Sequence, residues 1–192
     1  MAAIQLVAGL GNPGAKYEQT RHNAGFWFVD EVARQYHVRF SFEGKYKSEV
    51  VRCAIAGSDC RLQKPMDFMN RSGGPVAALA GFYRIPRSGI LVAHDDLDLP
   101  PGTVKLKQGG GHGGHNGLRD LIPQLGGPDF LRLRIGIGHP GHKDDVVDYV
   151  LKPASREDRT AIETAIEEAV RAMPDVVAGN LDRAMKELHT VR

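Results

Sequence analysis

An imidazole and several carboxylates follow a short apolar segment. The stretch LVAHDDLDLPPG, residues 91–102, continues an apolar run with one histidine and three aspartates, among them Asp95. Another histidine, His22, stands in TRHNAGF just before a helical pattern. An aspartate paired with a histidine makes the imidazole a better base and fixes its tautomer. Because the chain has no G-x-S-x-G segment and neither cysteine lies beside these stretches, water is the expected nucleophile.

A glycine-rich segment carries further polar side chains. It reads QGGGHGGHNGLRD, residues 108–120, and leads into a predicted helix. Asn116 can cap that helix or donate its side-chain amide to a bound oxygen. Glycine backbone and helix-start N–H groups can also hold an anion. Three alternatives stay open: a flexible loop without a binding role, a metal bound by His112, His115 and the aspartates, and a His22 that only caps its helix.

Two pairs of cations bracket this glycine-rich segment. Lys105 and Lys107 stand two residues apart in TVKLKQ, so they share one face of a strand. Arg132 and Arg134 do the same in FLRLRIGIG, where apolar residues occupy the opposite face. Either pair alone is typical of a solvated sheet face. Together they predict a phosphate-binding patch.

The segment GLGNPG, residues 9–14, has the spacing of a dinucleotide-binding loop. In such a loop a helix begins within the motif, so that its N-terminus faces the pyrophosphate. Here a polar stretch follows instead, and the helical pattern begins only near Asn23. We therefore exclude a nicotinamide cofactor. The residue of interest becomes Asn12, which follows a strand at the edge where open α/β sheets bind ligands.

Strands interleaved with helices must position these groups. The hydrophobic patterns predict an α/β fold, a single-domain sandwich with a central mixed, mostly parallel sheet flanked by helices. Strands are expected at 4–8, 46–55, 60–64, 89–94, 102–108 and 131–137. Helices are expected at 23–36, 75–84, 116–125, 156–173 and 176–188, the last two separated at Pro174.

Bulk properties agree with one domain covering residues 1–192. Hydrophobic residues make up 42% and charged residues 25%, and the net charge of +2 is too small to indicate nucleic acid by itself. No apolar stretch approaches the ~20 residues of a membrane span, and no signal peptide is visible. We expect a cytoplasmic protein in which Cys53 and Cys60 are reduced.

Five motifs in order resemble bacterial-type peptidyl-tRNA hydrolase, covering the chain to about Val150. They are GLGNPG-x-x-Y-x-x-TRHNAGF, FMN-x-SG, VAHDDLDLPPG, GGGHGGHNGL and RLRIGIG-HP. The resemblance implies cleavage of the ester between a peptide and the terminal ribose of tRNA, which recycles tRNA released prematurely from ribosomes. It also implies a monomer that acts without cofactor or metal and contacts the tRNA acceptor stem, its 3′ end and its 5′-phosphate.

Residue roles follow from the same resemblance. His22 matches the base that activates water, Asp95 the carboxylate that orients it, and Asn116 a donor to the water or the developing oxyanion. Asn12 and Asn70 match amides that hold the peptide backbone and the water. The other matching positions, around the cleft and on tRNA, are Tyr17, Phe68, Met69, His115, Lys105, Lys107 and Arg134; the strand alternation adds Arg132.

One position departs from the family pattern. Asp67 stands where an uncharged residue is common, which puts fine specificity in doubt but not the family. Two other classes of function remain as alternatives to a metal-free hydrolase. One is a non-catalytic RNA-binding protein on the same scaffold, and the other is a metallohydrolase.

Overall fold

Seven strands and six α-helices form the protein in a computed structural model that describes residues 3–189. The strands are β1 Leu6–Gly9, β2 Ser41–Glu43, β3 Ser48–Ile55, β4 Ser58–Pro65, β5 Ile90–Asp96, β6 Val104–Gln108 and β7 Leu131–Gly136. The helices are α1 Ala24–Gln35, α2 Gly73–Phe82, α3 Asn116–Gln124, α4 Val146–Val150, α5 Arg156–Ala178 and α6 Leu181–His189. None of the helices in this range is both long and apolar enough to cross a membrane.

All seven strands belong to one mixed sheet, ordered β2-β3-β4-β1-β5-β7-β6. The four central strands, β4, β1, β5 and β7, are parallel to one another. The outer strands β2, β3 and β6 pair antiparallel to their neighbours. The predicted α/β class with a mostly parallel central sheet is confirmed. The short edge strand β2 was not predicted, because three residues are too few to show a periodic pattern; all three are exposed.

Helices cover both faces of the sheet. Residues of α1, α5 and α6 pack with one set of strand side chains, and residues of α2 and α3 pack with the other set. Along β7 this alternation is regular, with Leu131, Leu133 and Ile135 in the first core. Each face is therefore closed by apolar packing, which leaves the strand ends for polar side chains.

The central strand β1 lies between β4 and β5, so the chain turns to opposite sides of the sheet around it. Open α/β sheets bind ligands outside the carboxyl ends of strands at such a switch point. Asn12 follows β1 and Asp95 is the sixth residue of β5, and both lie at this edge. Two glycines near this edge, Gly9 at the end of β1 and Gly25 in α1, have a packing role. A Cβ at Gly9 would lie 2.2 Å from the carbonyl oxygen of Gly25, so α1 approaches β1 only because both residues lack side chains.

The predicted break between the last two helices at Pro174 is wrong, and the helix expected to begin at 176 begins at Leu181. Pro174 lies inside α5, which continues to Ala178 and ends at Gly179 in the left-handed region at φ 86°. A proline removes one helix hydrogen bond and normally breaks the helix. Here Met173 and Val176 on either side of it are buried in the core, and their packing outweighs the local preference.

The two cysteines face each other across β3 and β4. Both thiols are free and buried, and burial raises the pKa of the Cys60 thiol to about 12. The free thiols agree with the expectation of reduced cysteines, and a buried thiol with a raised pKa is a poor nucleophile.

Candidate active site

His22 and Asp95 form a buried hydrogen-bonded pair at the centre of a cleft. His22 lies in the short 3-10 turn Arg21–Asn23 that precedes α1. Its Nδ1 is 2.8 Å from Oδ2 of Asp95. The Nδ1 proton is donated to the carboxylate, so the lone pair of the neutral ring is on Nε2. Both residues line a cleft of about 1160 Å³, which brings the predicted base and its carboxylate together.

The pair shifts both pKa values toward the charged forms. Burial lowers the pKa of His22, but the charge of Asp95 and its hydrogen bond outweigh burial, and the net pKa lies above the usual value. Burial likewise raises the pKa of Asp95, yet the two histidines it contacts bring it well below its usual range. Asp95 is therefore ionised at neutral pH and stabilises a protonated His22.

His115 completes the partners of Asp95. Its Nε2 lies 2.8 Å from Oδ1 of Asp95. Its Nδ1 accepts from the backbone N–H of Gly117 and Leu118, at 3.1 and 3.3 Å, and thereby caps α3. An accepting Nδ1 requires the proton on Nε2, so His115 donates to Asp95 as a neutral ring. The cap of α3 is thus His115, and the alternative that Asn116 caps this helix is wrong.

The same geometry bears on the metal alternative. His22, Asp95 and His115 place one ligand atom each within 4.8 Å of one another. A neutral histidine that binds a metal through Nε2 carries its proton on Nδ1. In His115 that proton would face two backbone N–H donors. The cluster is therefore arranged for hydrogen bonds to Asp95 and not for a metal ligand set.

His94 is buried next to Asp95, bonds to its backbone and stays neutral. Its Nδ1 donates to the backbone oxygen of Asp95 at 2.8 Å. Burial, and next the neighbouring His115, lower the pKa of His94 to about 4. Its Nε2 is buried without a hydrogen-bond partner in the described chain. His94 therefore fixes the backbone beneath Asp95 and does not serve as a base.

Replacing His94 by glutamine is expected to flatten the acid side of the stability profile. The folded protein keeps His94 neutral, whereas the unfolded chain protonates it below about pH 6.5. The free energy of unfolding should therefore fall by about 3 kcal/mol between pH 7 and pH 4 because of this residue, and this part should vanish in His94→Gln. Urea titrations at each pH measure it, with the exposed His139→Gln as control. Parallel profiles for wild type and His94→Gln would contradict the assignment.

Asn12 is held rigidly at the edge of the same cleft. Its backbone N–H donates to Oδ1 of Asn23 at 2.9 Å, and Nδ2 of Asn23 donates back to the Asn12 carbonyl at 3.0 Å. Its side-chain Oδ1 accepts from the N–H of Met69 at 2.7 Å. This leaves Nδ2 of Asn12 as a donor without a protein acceptor among residues 3–189. Asn23 was missed by the sequence analysis, although it directly follows His22 in the same motif.

The segment after β4 provides the opposite wall. Met69 is buried, while Asn70 and Phe68 are exposed, and all three line the cleft. Tyr17 contacts Phe68 edge to face, with ring centroids 6.4 Å apart. Asp67 accepts a hydrogen bond from the N–H of Phe68 and is not part of the cleft lining.

Asn116 opens α3 on the other side of His115 and also lines the cleft. Its Oδ1 accepts from Nη1 of Arg119 at 3.1 Å. The bond fixes the amide orientation and leaves Nδ2 as a free donor. The expected amides Asn12, Asn70 and Asn116 thus stand around the His22–Asp95 pair.

The cations occupy one face of β6 and β7, as the alternation predicted. Lys105 is opposite Arg134, and Lys107 is opposite Arg132. Arg134 donates through Nε to Asp96 at 2.7 Å and remains partly exposed, as does Lys105, and Lys107 is exposed. These three can reach a phosphate.

Arg132 is the exception, and its expected place on the phosphate patch is wrong. Only 2% of the residue is exposed. Its guanidinium donates to the backbone carbonyls of Gly110, Gly111 and Pro128. Alternation gives the face of a strand that a side chain occupies, but not what covers it, and here the glycine-rich loop lies over the arginine.

A wall of the cleft that was not predicted comes from α4. Val147 is 64% exposed and lies beside the cleft with Leu151. Arg21 ties this helix to the turn that carries His22, since its Nη1 donates to the carbonyl of Tyr149 at 2.8 Å and its guanidinium stacks 3.8 Å from that ring. The helix has only five residues, too few for a periodic pattern.

Comparisons with known proteins agree on one family. The model of the peptidyl-tRNA hydrolase family matches residues 6–192. A peptidyl-tRNA hydrolase of Halorhodospira halophila is 56% identical over 186 residues, covering 97% of this chain and 96% of the relative. One of Azotobacter vinelandii is 56% identical over 191 residues, covering 99% and 98%. The crystal structure of the Acinetobacter baumannii peptidyl-tRNA hydrolase superposes with a TM-score of 0.97 at 47% identity, covering 100% of this chain and 97% of that one.

Proposed function

The chain belongs to the peptidyl-tRNA hydrolase family and hydrolyses peptidyl-tRNA, and from that premise we propose that His22 is the base that activates the attacking water. The observation that carries the proposal is the Nδ1–H bond to Asp95, which leaves Nε2 of His22 as the acceptor in the cleft. Water that donates to Nε2 loses its proton as it attacks the ester carbonyl carbon.

The remaining steps use the same two side chains. Attack of hydroxide converts the ester carbonyl to a tetrahedral oxyanion, while His22 becomes an imidazolium held by Asp95. Collapse of the oxyanion breaks the bond to the ribose oxygen, which takes the proton back from Nε2 of His22. One water is consumed, giving a tRNA with a free 3′-terminal hydroxyl and a peptide with a free carboxylic acid, which loses its proton to solvent at neutral pH. Asp95 stays ionised throughout.

Amide side chains supply positioning that is independent of peptide sequence. We assign Asn12 and Asn70 to the peptide backbone, and Asn116 to the water or the developing oxyanion. Their support is that Nδ2 of Asn12 and Nδ2 of Asn116 are free donors whose oxygens are already bonded to the protein. Met69, Phe68, Tyr17 and His115 complete the binding walls. An enzyme that must accept many peptides gains from holding features that all peptides share.

The tRNA is held through its phosphates. Lys105, Lys107 and Arg134 lie on one face of β6 and β7, and Lys107 and Arg134 also line the cleft. Phosphate contacts position a nucleic acid without reading its bases, as a general tRNA substrate requires. We assign the 5′-phosphate of the acceptor stem to this face.

Since all these groups come from one chain, we also propose that the enzyme acts as a monomer. We further propose that it acts in the cytoplasm, where translation takes place.

Removing the Asn116 amide is expected to lower kcat by about 10²–10³ if Nδ2 stabilises the oxyanion. Asn116→Ala removes the donor, and Asn116→Asp replaces it by an acceptor that would repel the oxyanion, so the aspartate should be the worse variant. Steady-state kinetics on an N-acetylated aminoacyl-tRNA measure the effect. The control is Asn180→Ala, an exposed position before α6. A loss below tenfold, seen mainly in KM, would reduce Asn116 to a positioning role.

The family-level activity and its metal independence have a direct test. Peptide release from an N-acetylated aminoacyl-tRNA is measured with and without EDTA. We expect equal release in both conditions. Binding of tRNA without release would favour the non-catalytic alternative, and loss of release with EDTA, restored by added zinc, would favour a metallohydrolase.

A further inference from the structure

A buried cation without a carboxylate partner lies beneath the glycine-rich loop 109–114. Arg132 is 2% exposed, and no ion pair in the described chain includes it. Its charge is compensated by backbone oxygens: Nη1 donates to Gly111, and Nη2 donates to Gly110 at 2.6 Å and to Pro128 at 3.0 Å. The ring of Phe130 lies 4.5 Å from its carbon Cζ. Burying a guanidinium is costly unless such partners are in place.

Besides the bonds to Arg132, the loop has three hydrogen bonds within the described chain: Gly109 N–H donates to the Phe130 carbonyl at 3.0 Å, Gly114 N–H to Nδ1 of His112 at 2.9 Å, and His115 N–H to the His112 carbonyl at 2.9 Å. A Cβ at Gly111, Gly113 or Gly114 would meet nothing within 4 Å, so the loop is not packed against side chains there. Gly110 has φ 104°, in the left-handed region that other residues avoid. A chain of this flexibility adopts one conformation only where specific bonds hold it. Two of its carbonyls are turned inward onto the Arg132 guanidinium.

The loop ends at two residues of the site. His115 follows Gly114 directly and donates to Asp95, and Asn116 follows His115. A displacement of the loop therefore moves the second donor to Asp95 and the amide donor together. Of the exposed cations on the same strand face, Arg134 is bonded to Asp96, and the Lys107 side chain lies against Gly110.

We propose that Arg132 is a positioning residue that fixes the glycine-rich loop, and through it His115 and Asn116, without contacting tRNA. The inference rests on the roles given above to His115 and Asn116. Arginine is suited to this task because its planar guanidinium group donates to several carbonyls at once. A lysine ammonium or a neutral side chain cannot reproduce this set of hydrogen bonds.

The test compares Arg132→Met and Arg132→Lys with Arg134→Gln. We expect kcat on an N-acetylated aminoacyl-tRNA to fall about 100-fold in Arg132→Met and about tenfold in Arg132→Lys, because displacements near 1 Å cost about 10². KM should stay within about twofold.

Affinity for uncharged tRNA is measured from 50 to 200 mM salt. The slope of log affinity against log salt should be unchanged in both Arg132 variants and shallower by roughly 0.7–0.9 in Arg134→Gln. Hydrogen exchange of residues 109–117 should accelerate only in the Arg132 variants.

Several outcomes would overturn the proposal. A shallower salt slope in Arg132→Lys or Arg132→Met with kcat retained would make Arg132 a phosphate contact after all. A loss of folded protein with unchanged kcat per folded molecule would make it merely structural. If Arg132→Met fails to fold, Arg132→Lys, which keeps the charge and the stem, decides between these results. Exchange rates and salt slopes do not depend on catalysis, so they remain informative even if His22 proves not to be the base.

Discussion

Replacing His22 by asparagine is expected to lower kcat by about 10²–10⁴, the range that general-base catalysis supplies. Asparagine retains a polar side chain that can contact Asp95, so the pocket keeps its shape and hydration. What it lacks is a group that can take a proton from water at neutral pH. Because tRNA is held by other residues, the affinity for uncharged tRNA should stay within about threefold. The measurement is single-turnover release from an N-acetylated aminoacyl-tRNA, with binding measured in parallel.

The matched control for this prediction is His37→Asn. His37 is exposed after the end of α1 and has φ 56°, a conformation that asparagine adopts readily. The same chemical change therefore occurs at the far end of the same helix, and kcat should be unchanged. Activity of His22→Asn within tenfold of wild type would show that the water is activated by another group.

The pairing of His22 with Asp95 was expected from the family resemblance, because both residues match positions of its motifs, while the residues alone left their contact open. The motifs fixed which residues to consider, and alternation along β6 and β7 gave the shared face of Lys105, Lys107 and Arg134. Such inferences depend on local periodicity, which the sequence records directly. The helix placement that argued against a dinucleotide was also correct, since α1 begins at Ala24 and not within the glycine motif.

What could not be anticipated depends on contacts between distant segments. His115 both caps α3 and donates to Asp95, twenty positions away in the chain, and no local pattern encodes that second bond. The burial of Arg132 depends on a loop that folds back over it. The short α4 is fixed by Arg21, from a segment 128 positions away from Tyr149. In each case the deciding partner lies outside the window in which periodicity can be read.

Replacing Asp95 by asparagine is expected to have an effect as large as the loss of His22, because it reverses the histidine tautomer. His115 must keep its proton on Nε2, since its Nδ1 accepts from two backbone N–H groups. The amide oxygen of the new asparagine would therefore accept from His115, and its NH₂ group would face Nδ1 of His22. His22 would then carry its proton on Nε2, where the base needs a lone pair. The same exchange in a serine-protease triad costs about 10⁴ in kcat for this reason.

The pH profile distinguishes this effect from a general loss of structure. In the wild type the pKa of His22 lies above its usual value, because Asp95 outweighs burial, so kcat/KM should rise with pH through a limb above about 6.5. In Asp95→Asn the burial remains and the charge is gone, so the residual activity should show this limb below about 6.5. The control Asp98→Asn, at an exposed position three residues on, should keep the wild-type limb and kcat. An Asp95→Asn variant that lost activity without moving the limb would separate Asp95 from the proton chemistry of His22.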